Sequence, residues 1–312
     1  MNTLPWHREI AAAAAPTAAT LVVGHTGSGV EYLALALAAK FAGGPVNAET
    51  NAAEFLPPPS SSGTADDELA AITAAADNVD IMISRPEKNI IAVATVRQVI
   101  EFCALSPMVM ARRVAVFMQA EKLNNHAANA LLKTLEEPGT NKCLILSAHA
   151  ASLLPPTIVS RCHILLAPTP DWTQATAWLQ ARGSAAEALA FAGGMPIAAL
   201  SADLAGAKAA AKFFARGKKM NLHATAAALM DYENWLDCLQ KWTADGARAA
   251  AGLSARYFPG AEKSMQTICT DMRRWLEAHA RLLEKRRLAT HPLAKDLFIK
   301  DTLYEYRRLV AD

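Results

Sequence analysis

Up to Pro168 the chain repeats one pattern, a short apolar run followed by a longer stretch with helical spacing. The runs are Leu21-Val22-Val23, Val79 to Ile83 (VDIMI), Arg113 to Met118 (RVAVFM), Cys143 to Ser147 (CLILS) and Cys162 to Leu166. Each is short and rich in Val, Ile or Leu, which suits a strand buried on both faces. Between them lie Tyr32 to Phe41, Thr95 to Leu105 and Asn124 to Glu137. In the second of these, Val96, Val99, Ile100 and Cys103 share one helical face. In the third, Asn124 or Asn125 is the N-cap and Pro138-Gly139 the stop. Strands alternating with helices predict a mostly parallel sheet covered on both sides.

After Pro168 the pattern stops. Asp171 to about Ala205 reads as helix, broken at Gly183 and Gly193-Gly194. From about Lys208 to Asp312 only amphipathic helical stretches remain. One is Met272 to Leu288, with Trp275, Leu276, Leu282 and Leu283 on its apolar side. Abundant alanine, the best helix former, favours the same reading. The expected organisation is an α/β domain at 1–168, a small helical domain at 169–207 and a larger all-helical domain at 208–312.

Several function classes are disfavoured at once. The chain has 31 Lys plus Arg against 29 Asp plus Glu, a net charge of +2, so no global charge calls for nucleic acid. Its five cysteines form no C-x-x-C pair, so no zinc module is expected. They read as reduced, buried thiols of a cytoplasmic protein. The alanine run Ala11 to Ala15 is too short and too weakly apolar for a signal peptide or membrane span. Pro57 to Thr64 reads as a surface loop. The C-terminal Arg and Lys residues, among them Arg273, Arg274, Lys285, Arg286 and Arg287, alternate with Asp271, Glu277 and Glu284 and read as a solvated helix face.

The chemistry turns on GHTGSGVE, residues 24 to 31. It joins the first strand to the first helix of the sheet domain, the place of a phosphate-binding loop, whose pattern is G-x-x-x-x-G-K-[ST]. Gly24 and Gly29 have the right spacing, with Gly27 between them, but Val30 and Glu31 stand where Lys and Ser/Thr belong. A working loop needs backbone amides for the phosphates, Lys for their charge and a hydroxyl for magnesium. Only the first survives. The acidic pair of such sites, one carboxylate for magnesium and one for water, should end the RVAVFM strand, where Met118 and Gln119 stand instead. Both halves of the nucleotide chemistry are missing together, so no cofactor and no ATP hydrolysis are expected. The alternative readings are an active ATPase with an atypical loop and a nicotinamide-dependent oxidoreductase. Gly24, Gly27 and Gly29 fit G-x-x-G-x-G with Glu49 downstream. Against the latter, GGPVNAET makes a poor second strand, and no Tyr-x-x-x-Lys pair is present to move a proton.

The most specific stretch is LNNHAANALLKTLEEPGTNKCLILSAHAASLLPPTIVSRC, residues 123 to 162. With Pro5-Trp6 at the start, it closely resembles the clamp-loader family of AAA+ proteins. AANALLKTLEEP and LLPPTIVSRC carry the resemblance, which covers roughly residues 1 to 200 in detail. The degenerate loop and the lost acidic pair match subunits of that family that do not hydrolyse ATP.

The resemblance implies an AAA+ P-loop-type sheet domain, a helical lid at 169–207 and a helical collar at 208–312. It implies a place in a hetero-oligomeric ring with gamma/tau-type ATPase and delta subunits, and indirect work on the sliding clamp and primer-template DNA. Arg161 of Ser160-Arg161-Cys162 would act in trans as an arginine finger, with Ser160 and Cys162 shaping its turn. Guanidinium suits that role because its fixed fork of donors pairs with phosphate oxygens. Ser147 would be a vestigial γ-phosphate sensor. Lys133, Glu136 and Glu137 read as a solvated face of their helix, with a contact to a neighbouring subunit as the alternative. Two departures stand out. The family's four-cysteine zinc module is absent, because residues 42 to 102 contain no Cys, and GGMPIAAL (193 to 200) has no Arg to meet ATP.

Overall fold

The computed structural model describes residues 4–43, 79–137, 139–288 and 294–311. The loop at 57–64, Glu49 and Pro138 lie outside the described residues. The chain packs as two compact units, one of residues 1–184 with 195–201, the other of 185–194 with 202–312. The segment expected as a separate small domain, 169–207, is therefore divided. Its helices Trp172–Gln180 and Pro196–Leu200 belong to the first unit, and Ala186–Phe191 to the second.

The first unit is built on a parallel sheet of five strands, β1 (Ala19–Val23), β2 (Ile81–Ser84), β3 (Arg113–Phe117), β4 (Lys142–Ala148) and β5 (His163–Leu166). Their order is β2-β3-β4-β1-β5. All five fall on the apolar runs of the sequence. Successive residues of a strand face opposite sides of a sheet. Leu21 and Val23, Ala115 and Phe117, Leu144 and Leu146 share one face with Val96, Val99, Leu131 and Leu135. That face is covered by helices Val93–Ala104 and Asn125–Glu136, and the other by Val30–Ala42, which packs against β1, β3 and β4. Asn124 caps Asn125–Glu136, its side chain accepting from the Ala127 N–H at 2.8 Å. β1 lies between β4 and β5, so its C-terminal end opens onto the crevice where ligands bind in open α/β sheets.

A buried carboxylate secures the far edge of this sheet. Asp80, just before β2, accepts from the N–H groups of Met108, Val109 and Met110 at 2.6–3.0 Å. It also pairs with buried Arg113 at 3.3 Å. Burial pushes its carboxyl up, but the three amides and Arg113 outweigh that and hold it below its ordinary range.

The second unit is helical, with a core of Phe214, Trp242, Trp275 and Tyr306. The Trp242 indole N–H donates to the Tyr306 hydroxyl at 3.0 Å, which donates to the Phe214 carbonyl at 3.2 Å. Gly246 sits inside helix Trp235–Ala250 because a Cβ there would lie 2.3 Å from the Trp275 ring. Helix Met272–Leu288 matches the expected bounds, with Trp275, Ala278 and Leu282 buried. Leu276 and Leu283, expected on the apolar side, are each 49% exposed. Apolar character marks a helix's stripe only broadly, and the buried stripe here is narrower than the apolar one. No helix among the described residues is long and apolar enough to cross a membrane.

Candidate functional site

The glycine loop occupies the expected place, between β1 and helix Val30–Ala42. The Gly24 N–H donates to the Ala148 carbonyl at 3.2 Å, tying the loop to β4. Gly27 and Gly29 have φ of 80° and 90°, in the left-handed region that glycine tolerates. Neither has room for a side chain. A Cβ on Gly29 would lie 2.2 Å from Leu4 Cδ1, and one on Gly27 2.6 Å from Ala198 Cβ. The Trp6 indole N–H donates to the Ser28 carbonyl at 2.8 Å, and the Ile197 N–H to Gly27 at 3.1 Å. The loop is thus held by Leu4–His7 and by helix Pro196–Leu200. His7 is fully buried, and burial lowers it to about 4, offset only in part by the Pro168 carbonyl. Val30, where a working loop has its Lys, is 1% exposed, so its side chain belongs to the core.

Glu31 meets a partner that no motif in the sequence marks. His149, directly after β4, places Nε2 3.4 Å from Glu31 and Nδ1 2.5 Å from Glu121. The second contact is close but lies off the line of a straight hydrogen bond. Glu121 follows Gln119 by two residues, on the short turn after β3. Glu121, then Glu31, hold the imidazole charged against burial, raising it to about 10. Burial pushes the Glu121 carboxyl up, but His149 and nearby backbone outweigh it, and Glu121 stays below the ordinary carboxylate range. Where magnesium and phosphate would bring charge to an active loop, this chain holds a closed set of its own charges. The two carboxylates meet different nitrogens of one imidazole. Among the described residues no group of three or more His, Cys, Asp or Glu is arranged to hold a metal.

This arrangement has a pH signature. A histidine raised from 6.5 to about 10 stabilises the fold fully below about pH 6.5, and the contribution fades as pH rises through 10. On the acid side, Glu121, lowered on folding, contributes above its unfolded value of 4.5 and loses that as pH falls through its folded value. His149→Gln should therefore cost about 1–2 kcal/mol near pH 6. In urea melts the gap to the parent chain should close as pH approaches 10. A gap that is flat from pH 6 to 10 refutes the charged cluster.

The other sequence-marked positions surround this cluster. Met118 is buried and donates its N–H to the Ser84 carbonyl at 2.9 Å, so its side chain is core. Gln119 has φ 52° and donates its N–H to Ser147 Oγ at 3.1 Å, which engages the candidate sensor hydroxyl within the chain.

Arg161 lies apart from the loop, on the turn between helix Pro156–Val159 and edge strand β5. Its Nε and Nη2 lie 2.6 and 2.5 Å from one oxygen of Glu136, at the end of helix Asn125–Glu136. Nη1 donates to the Thr157 carbonyl at 2.9 Å and lies 3.5 Å from Ser160 Oγ. Ser160 itself donates to the Thr157 carbonyl. Cys162 is half-buried, and burial pushes its thiol up to about 11, too high for a nucleophile. Of β5, the strand that follows this turn, Ile164 and Leu166 are exposed.

With this geometry in place, the likeness to known proteins is specific. A family model described as DNA polymerase III, delta subunit, matches residues 4–170, more than half of the 312 residues. The chain is similar to the DNA polymerase III subunit delta' of Pseudomonas aeruginosa, with 32% identity over 186 residues, 56% of this chain and 57% of that protein. It is also similar to the subunit delta' of Haemophilus influenzae, 36% identical over 115 residues, 35% of each chain. The chain thus matches a little over half, or about a third, of the length of these relatives. A solved structure of a DNA polymerase III gamma subunit-related protein from Thermotoga maritima shares the fold. Its TM-score is 0.52 at 15% identity, covering 98% of this chain and 99% of that one.

Proposed function

Because the chain belongs to the DNA polymerase III delta-subunit family, we propose that it is a non-hydrolysing, delta-prime-type member of the clamp-loader ring. In this reading it binds gamma/tau-type ATPase and delta subunits in the cytoplasm. It takes part in loading the sliding clamp onto primer-template DNA without holding either itself. Residues 208–312 act as the collar that joins the ring. Arg161 is donated to the ATP site of a neighbour.

The observation that carries the reading is the contrast between two places in one unit. The loop that would hold phosphate has Val30 in the core and Glu31 paired with His149. The guanidinium that could meet phosphate stands 32% exposed on the turn before the edge strand β5. Chemistry is missing inside the subunit and available on its rim.

The test is reconstitution with delta and gamma-type subunits from the same genome. The chain should co-elute with them as one species, and clamp- and DNA-stimulated ATPase activity should depend on its presence. Full activity without it, or failure to co-elute, contradicts the proposal.

A further inference from the structure

We infer that Glu136 is a positioning residue for Arg161, and that the LEEP and SRC segments therefore work as one device. The inference rests on the reading of Arg161 as a donor to a neighbouring subunit.

An exposed arginine is a poor donor unless something fixes it. Its side chain carries about 2 kcal/mol of rotamer entropy, which must be lost before its planar fork meets a phosphate. Here much of that loss is met within the chain. A single Glu136 oxygen takes the Nε and Nη2 edge at 2.6 and 2.5 Å, while the Thr157 carbonyl takes Nη1 from the other side at 2.9 Å. Contacts on both sides of a rigid planar group define its plane. A guanidinium has five N–H donors. The contact of Nη1 to Ser160 at 3.5 Å is long. With Nε, one Nη2 hydrogen and one Nη1 hydrogen engaged within the chain, donors are left for a further acceptor.

Glu136 can do this because its own place is fixed. It ends the helix that Asn124 caps, and Leu131 and Leu135 of that helix are buried in the sheet core. Thr157 belongs to the short helix Pro156–Val159, whose Ile158 is buried in the same core. The contact therefore joins two elements anchored in one core. Glu136 is 49% exposed, so the pair adds little to stability, as for most exposed ion pairs. Its effect should appear in rate rather than in melting.

The experiment uses the reconstituted ring with Glu136→Ala, Arg161→Ala and the double variant, reading single-turnover hydrolysis at the site facing this chain. Glu136→Ala should slow that step by about fivefold, the size of coupling found between contacting residues. ATP affinity, assembly and the melting temperature of the isolated chain should hardly move. On the Arg161→Ala background the same change should add nothing. An unchanged or faster rate for Glu136→Ala, or a further loss in the double variant, overturns the positioning role alone. A normal rate for Arg161→Ala removes the finger reading and this inference with it.

Discussion

Arg161→Ala in the reconstituted ring is expected to slow hydrolysis about 10³-fold at the one site facing this chain, the size of effect known for arginine fingers. Steady-state turnover should fall by that site's whole share, and the ring should still assemble. The transition state of phosphoryl transfer spreads charge over three oxygens, and a guanidinium fork meets two of them at once. Arg161→Lys should recover little, because an ammonium on a flexible stem is a point charge with no fork. Single-turnover hydrolysis of bound ATP is the readout, since it separates one impaired site from the others. A trace indistinguishable from the parent ring would show that Arg161 does not act in trans.

The largest expected loss of stability comes from Asp80, far from any nucleotide chemistry. Asp80→Ala should destabilise the sheet unit by about 3–5 kcal/mol, the range for breaking a buried charge pair from one side. Three N–H groups, of Met108, Val109 and Met110, lose their acceptor together. Arg113 is left buried against the Ser106 and Phe102 carbonyls and the Phe102 ring. Asp80→Asn keeps an acceptor but not the charge and should lose about half as much. Because the carboxyl is lowered on folding, its contribution is present above 3.8 and lost as pH falls through its folded value. Urea melts at pH 7 check this, following a probe in the sheet unit, since two units need not unfold as one. A loss below about 1 kcal/mol would mean the loop at 108–110 finds other acceptors.

Much of the sheet unit could be read from the chain because its signals are local. A strand buried on both faces is apolar throughout, and a cap such as Asn124 lies next to the helix it starts. The glycine loop showed its missing Lys and hydroxyl directly, since Val30 and Glu31 stand in a fixed frame. The contacts that give those residues their setting could not be read this way. Glu31 meets His149 across 118 positions, and no spacing rule links a residue after β1 to one after β4. A histidine directly after a central strand, beside a loop already carrying a misplaced Glu, was the available signal. In the sequence Glu136 is one of several charges on a helix face, and its partner lies 25 positions on, joined to it only by the fold. The division of 169–207 between two units was hidden for the same reason. Its glycines mark where helices break, as at Gly183 and Gly193, but not which core each piece joins.

On the function proposed, this chain has no nucleotide chemistry of its own and lends a cation to a neighbour's. The most direct test is calorimetric titration of the isolated chain with Mg-ATP. No saturable heat is expected for any dissociation constant tighter than about 0.1 mM. Saturable binding in the micromolar range would contradict that function.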